Sequence, residues 1–322
     1  MSHNFTLIPK DRLKVAIIIG STSGELEVSQ KTGENMYQAM IEKGYTSAYK
    51  LEFVNEDDLL AKIKLNRPDV VLNATLGIPG EDGTVPIILD YMQIPYTHAG
   101  ATGSRIGMDK ALSKKIFPLI GVPTARYITV NKSELLSDEY IDKLTAANII
   151  QDKLVIKPTQ SGSSIGVMAF NVSEKPNWHT KLDTNYPEYL IEEYNSGRQF
   201  DVLVLGEKAT IIERIFDGEI CTYDDKYTPG RTNNNVDYQL SATVQEKLKG
   251  YAMAIHKRLG CNSISRSEFI VNEGSENIVA IEVNTHPAMT NTSMSITGAA
   301  ALGMSKADMV EFILLEANYN IR

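Results

Sequence analysis

Two cysteines in 322 residues, Cys221 and Cys261, are too few for a disulfide framework. No CxxC or Cys/His spacing suits zinc, so two ordinary thiols in a reducing compartment are expected. Blocks rich in lysine and arginine are also missing. The chain has 32 basic and 40 acidic residues and a net charge of −8, so nothing in the charge pattern recruits a nucleic acid. No apolar run is longer than a strand; Val15–Ile19 is typical. The stretch from Met1 to Arg12 is polar, so neither a signal peptide nor a membrane span is expected, and the expected location is the cytoplasm. Internal repeats and low-complexity tracts are absent. An acidic balance still permits phosphate binding, which needs only a local cluster of donors.

With 43% hydrophobic residues, the chain can bury a large core in two or three domains. Lys14–Gly20 and Asp69–Asn73 read as buried strands. A helix between them carries Met36, Tyr37, Met40 and Ile41 on one face, and Pro86–Met92 reads as a short helix. This alternation implies a parallel, doubly wound sheet. Further on, one helix is expected through Met108 to Leu119, stopped by Gly121 and Pro123, then strands at Arg126–Val130 and Leu154–Lys157. Strands follow at Phe200–Leu205 and Ala209–Ile215, then a polar loop from Tyr223 to Asp237. A helix carries Val244, Leu248, Tyr251, Ile255 and Leu259. Strands at Ser267–Val271 and Ile278–Val283, a polar loop from Asn284 to Ser295 and a helix at Lys306–Ala317 complete the reading.

Two features carry chemistry. In Lys157-Pro-Thr-Gln-Ser-Gly-Ser-Ser-Ile-Gly166 a lysine ends a strand and leads into a Gly/Ser loop. Such a loop can surround phosphate oxygens with N–H groups and hydroxyls. The lysine precedes the glycines, so this is neither a Walker A loop nor a dinucleotide GxGxxG. A flexible Gly/Ser hairpin beside a lysine is the plain alternative. The second feature is Arg266-Ser-Glu268 with Glu282-Val-Asn284. Residues two apart share a strand face. If the two strands pair antiparallel, three oxygen ligands and one guanidinium converge. The oxygens suit Mg²⁺ held against phosphates, and the guanidinium suits a developing oxyanion or phosphoryl group. A solvated face with a surface salt bridge is the alternative. His98, His179 and His256 show no ligand spacing and read as structural or surface residues.

Together with Gly20–Ser29, Gly80-Glu-Asp-Gly-Thr84, Met108-Asp-Lys110, Ile191-Glu192, Lys226-Tyr227 and the run Glu282–Thr290, these stretches resemble the D-alanine–D-alanine ligases. The order and approximate spacing match over nearly the whole chain. The resemblance implies a three-domain α/β ATP-grasp fold with an N-terminal doubly wound parallel sheet. Its parts would be residues 1–102 for the first substrate, 103–193 as the central ATP-grasp domain, and 194–322 carrying the metal and oxyanion site. It implies ATP as cofactor, with two Mg²⁺ ions that Mn²⁺ could replace, and amino acids as substrates. A homodimer is compatible with it; nucleic acid and membrane are not expected as partners.

The resemblance also implies roles. Lys110 and Lys157, with Ser163, Ser164 and Lys226, would hold the ATP phosphates. Glu192 would sit at adenine and Gln199 at the ribose. Glu268, Glu282 and Asn284 would bind metal. Arg266 and the Ala288 N–H would stabilise the tetrahedral oxyanion. Glu25 would take the first ammonium and, with Ser163 and Tyr227, tie a mobile loop over the site. Leu76 would border the first amino acid. Ser293 and Met294, helped by Lys226, would hold the second. Three positions depart from the family pattern: Leu76 replaces a usual histidine in HGxxGEDG, Gln199 a glutamate, and Ala288 a glycine. The implied activity is ATP-dependent formation of a D-Ala–D-Ala-type dipeptide through an acyl phosphate for peptidoglycan precursors. Two alternatives stand beside it: a relative joining other amino acids into small-peptide natural products, and an inactive nucleotide-binding regulator.

Overall fold

The computed structural model describes residues 4–20, 24–174, 176–181, 186–228 and 230–319; the side chains of His179 and Tyr227 lie outside what it describes. Twelve strands form three sheets among these residues. The first is parallel, with β1 (Val15–Ile19) between β2 (Tyr49–Glu52) and β3 (Val70–Asn73). β1 and β3 are buried on both faces, which explains their unbroken apolar runs. Helix Leu26–Glu42 covers one face with Met36 and Met40. Helices Glu56–Leu65 and Thr84–Tyr91 cover the other with Leu59, Ile63, Val85 and Leu89. The last helix, Lys306–Leu315, returns to the first sheet and packs Met309, Val310 and Ile313 beside Met36 and Met40.

The second sheet is antiparallel, in the order β4 (Tyr127–Asn131), β7 (Glu188–Glu193), β5 (Lys153–Pro158), β6 (Met168–Asn171). The third has β8 (Arg198–Leu205), β9 (Lys208–Phe216), β10 (Thr232–Asn235), β11 (Ile264–Val271) and β12 (Ile278–Asn284) in the order β10-β9-β8-β11-β12, all antiparallel. Helix Ala242–Arg258 backs it through Val244, Leu248, Ala252 and Ile255. Among the described residues, no helix is long and apolar enough to cross a membrane.

Three local expectations need correction. The helix expected through Met108 to Leu119 is two helices, Ala101–Met108 and Lys110–Leu119. Asp109 breaks it: its backbone is extended, and its side chain caps the second helix by accepting from the Leu112 N–H at 3.0 Å. The stretch from Tyr223 to Asp237 is not all loop. Thr222 and Asp225 form a capping box that starts a short helix, Tyr223–Tyr227, and β10 adds to the edge of the third sheet. The polar stretch after Asn284 ends in a further helix, Met294–Ala301.

His256, on the helix backing the third sheet, is 4% exposed and meets Ser265 Oγ through Nδ1 at 2.8 Å. Burial pushes its imidazole down to about 4, against an opposing pull from Glu207. A histidine whose folded value lies below its unfolded one stabilises the fold fully above the unfolded value, near 6.5. That stability is lost as pH falls from there toward 4. The loss from His256 approaches about 3 kcal/mol across that window. Urea denaturation from pH 7.5 to 4.5 is expected to show declining stability below pH 6.5; a flat profile contradicts the assignment.

Candidate active site

The third sheet supplies the centre of the site. β11 and β12 pair antiparallel with Arg266 opposite Asn284 and Glu268 opposite Glu282. Directly opposed residues share a face, so the guanidinium and the three oxygen-bearing side chains converge. A bulge after Glu268 shifts the register of the two strands and turns the chain beyond the polar cluster.

Arg266 Nη2 lies 2.7 Å from Glu268 Oε1, and Gln199 Nε2 donates to Glu268 Oε2 at 3.0 Å. Burial works to raise the Glu268 carboxyl, but Lys226, Arg214, Arg266 and Lys110 together hold it well below the usual carboxylate range. It is therefore an anion at any physiological pH. Glu282 Oε2 stands 3.5 Å from Lys110 Nζ. Asn284 Oδ1 accepts from the His286 N–H at 2.7 Å, which fixes the amide. Among the described residues, no three His, Cys, Asp or Glu cluster to hold a metal by themselves. Two carboxylates and an amide do fit Mg²⁺, which is typically held by one or two carboxylates together with substrate phosphates.

The second sheet brings the lysines. Lys157 is the penultimate residue of β5 and is 3% exposed. Its Nζ lies 2.6 Å from Glu192 Oε1, while Lys114 Nζ lies 2.6 Å from Glu192 Oε2. Burial acts to raise the Glu192 carboxyl, and the two lysines overcome it and hold it low. Lys110 Nζ donates to the Ser161 carbonyl across the Gly/Ser loop. In that loop Ser163 and Ser164 have φ of 53° and 60°, a left-handed conformation that is costly for serine and recurs at ligand-binding turns. Gly162 brings the loop backbone close to the same acid: a Cβ there would stand 3.1 Å from Glu25 Oε1. That close approach lets Ser163 Oγ donate to Glu25 Oε1 at 2.7 Å, joining the loop to the start of helix Leu26–Glu42.

Two adjoining cavities meet at this cluster. The smaller, about 150 Å³, lies between the second and third sheets and is bordered by Lys157, Ser164, Glu192, Gln199, Phe216 and Glu268. The larger, about 820 Å³, is bordered by Glu25, Leu76, Ser163, Arg266, Asn284, Ala288, Ser293 and Met294. Lys110, Lys226 and Glu282 border both. Every site residue expected from sequence thus faces one of the two cavities, except Tyr227, whose side chain lies outside the described residues.

Several residues at or just behind the cavity walls went unassigned in the sequence reading. Glu81 lies inside the Gly80–Thr84 motif; its Oε2 accepts from the Gly77 N–H at 2.6 Å. Burial, with the Glu25 carboxylate nearby, pushes Glu81 up to about 8. Lys114 sits one helical turn after Lys110, a spacing that could have pointed to it. Asp201 is a lone charge in an otherwise apolar run, Phe200–Leu205, and Arg214 carried no sequence signal.

Comparison with known proteins finds relatives along nearly the whole chain. The family model described as "D-ala D-ala ligase C-terminus" matches residues 116–315. A D-alanine–D-alanine ligase of Ruegeria pomeroyi is 34% identical over 308 residues, covering 95% of this chain and 96% of that protein. The one from Cereibacter sphaeroides (strain ATCC 17025) is 33% identical over 310 residues, covering 95% and 96%. The crystal structure of D-alanine–D-alanine ligase from Bacillus anthracis complexed with ATP superposes with a TM-score of 0.76 at 29% identity, covering 94% of this chain and 96% of that one.

Proposed function

This chain belongs to the D-alanine–D-alanine ligase family, and we propose that it joins two D-alanine molecules into D-alanyl–D-alanine for peptidoglycan precursors, converting ATP to ADP and phosphate. It is an ATP-dependent ligase of the ATP-grasp fold. The observation that carries the reading is the meeting of two cavities at one cluster: Lys110, Lys226 and Glu282 border both, with Arg266 and Asn284 at the larger and Lys157 and Glu268 at the smaller. A nucleotide in the smaller cavity and an amino acid in the larger would present their reacting ends to the same side chains.

A carboxylate is a poor electrophile, and γ-phosphoryl transfer converts it to an acyl phosphate with a good leaving group. Lys110 and Lys157 would neutralise phosphate charge; Glu192, clamped between Lys114 and Lys157, keeps the Lys157 ammonium in place. Glu268, Glu282 and Asn284 would hold Mg²⁺, or Mn²⁺ in its place. Bound there, the metal offsets charge on the transferring phosphoryl. Glu25 would hold the first ammonium. Ser293, Met294 and Lys226 would seat the second amino acid, whose amine then attacks the acyl carbon. Arg266 and the Ala288 N–H would stabilise the resulting oxyanion. The Ser163–Glu25 bond closes the phosphate loop over the first-substrate end, which excludes water that would hydrolyse the acyl phosphate. A cytoplasmic homodimer is part of the same proposal. Mass spectrometry of products made from ATP, Mg²⁺ and D-alanine tests it: D-alanyl–D-alanine supports it, and no dipeptide from D-alanine overturns it.

One observation favours a second reading, in which the first amino acid is larger or more apolar than D-alanine. Leu76 is 3% exposed at the wall of the larger cavity, where the family pattern has histidine. A hydrogen bond to a charged group is worth about 1.5–3 kcal/mol, on the order of 10–100-fold in affinity. For a D-alanine enzyme, Leu76→His is expected to tighten D-alanine by a factor in that range. Impaired turnover of a larger or more apolar first amino acid by the variant would instead favour the second reading.

A further inference from the structure

We propose that Asp201 is a positioning residue that holds the Arg266 guanidinium in its working orientation, with Arg214 balancing the added charge. Asp201 is 0% exposed, in a strand whose neighbours Phe200, Val202, Leu203 and Val204 are all core residues. A carboxylate is costly to bury unless it is paired. Its partners are two guanidiniums. Arg214 takes it in a forked contact, Nη2 to Oδ1 at 3.0 Å and Nε to Oδ2 at 3.2 Å. Arg266 Nε lies 3.0 Å from the same Oδ1.

Strand register explains the arrangement. Asp201 pairs with Glu268 across β8 and β11, while Arg266 pairs with Leu203 one step along and Arg214 pairs with Gln199 on the other side. The two acids therefore share a row, and the guanidiniums reach it from the rows to either side. Arg214 also comes within 3.6 Å of Glu268 Oε1, so two acids and two guanidiniums alternate in a ring without net charge. Arg266 donates from Nη2 to Glu268, while its Nε stands in ion-pair contact with Asp201 without the geometry of a hydrogen bond. One hydrogen bond and one ion pair restrain the guanidinium from two sides and leave Nη1 as the edge that can face the larger cavity. Without Asp201 the anchor left among the described residues would be Glu268, which the proposed function also requires for metal. Stabilisation of a developing charge depends on donors fixed beforehand, and small misplacements cost large factors in rate.

This inference rests on the reading of Arg266 as the transition-state cation, and a double-mutant cycle separates the two. Asp201→Asn is expected to lower kcat about 10–100-fold, with KM for D-alanine and ATP affinity by calorimetry little changed. Asp201→Asn added to Arg266→Ala is expected to cost nothing beyond Arg266→Ala alone. Factors that multiply in the double variant, or an Asp201→Asn enzyme with normal kcat, overturn the positioning role. Normal kcat in Arg266→Ala alone overturns the reading of Arg266 beneath it. Because Asp201→Asn leaves two guanidiniums facing one carboxylate, the cycle is also run in an Arg214→Met background, which restores the charge balance. There Asp201→Asn is again expected to lower kcat relative to Arg214→Met, and to cost nothing further once Arg266→Ala is also present.

Discussion

Glu282→Gln is expected to reduce ligation at saturating substrates about a thousandfold while leaving the fold intact. Glutamine has nearly the same shape, so packing beside Val283 and Lys110 is kept, and only one negative charge is lost. That charge stands where the two cavities meet, opposite Glu268 and 3.5 Å from Lys110 Nζ. A metal ion opposing phosphoryl charge supplies several kcal/mol to the transition state, on the order of a thousandfold at 1.4 kcal/mol per decade. An amide oxygen in place of the carboxylate weakens the site. The residual activity is therefore expected to need more Mg²⁺ for half-saturation. A Mg²⁺ titration of turnover for wild type and variant is the check, and unchanged turnover at limiting Mg²⁺ contradicts the metal assignment.

Arg266→Ala is expected to lower kcat about 100–1,000-fold with a smaller change in KM, the pattern of a group that acts mainly in the transition state. The same substitution leaves Asp201 and Glu268, both of which meet Arg266 in the buried ring, sharing the single guanidinium of Arg214. Breaking such a pair by removing one partner costs about 3–5 kcal/mol of stability, so the thermal midpoint is expected to fall too. Arg266→Lys separates the two effects. A lysine keeps the positive charge but cannot span both Asp201 and Glu268, so stability is expected to recover in part while kcat stays low. A variant that raises KM and spares kcat would show that Arg266 binds substrate in its ground state.

The parts of the site legible in the sequence are those that a single element specifies. Arg266 with Glu268, and Glu282 with Asn284, could be placed on shared faces because polar residues two apart interrupt apolar strands. Antiparallel pairing, assumed from the pattern, is what the structure has. The Lys157 loop was legible because a lysine at a strand end and a Gly/Ser run lie together in sequence. What sequence left hidden depends on register between strands. Asp201 meets Arg214 and Arg266 only because β8 lies between β9 and β11. β10 is Thr-Asn-Asn-Asn, three of its four residues poor strand formers, and exists because β9 offers an open edge. β2 buries only Leu51, too little for an apolar signal. The final helix was foreseen as an element, but its packing against the first sheet is a contact across nearly the whole chain.

The measurement closest to the central claim follows oxygen. The enzyme is incubated with ATP, Mg²⁺ and D-alanine labelled with ¹⁸O in its carboxylate, and the released phosphate is examined by mass spectrometry. An acyl phosphate formed from the first amino acid leaves one carboxylate oxygen on phosphorus when the second amine displaces it. Each phosphate released with D-alanyl–D-alanine is therefore expected to carry one ¹⁸O, with ADP as the other product. Unlabelled phosphate, or AMP and pyrophosphate in place of ADP, would contradict the account.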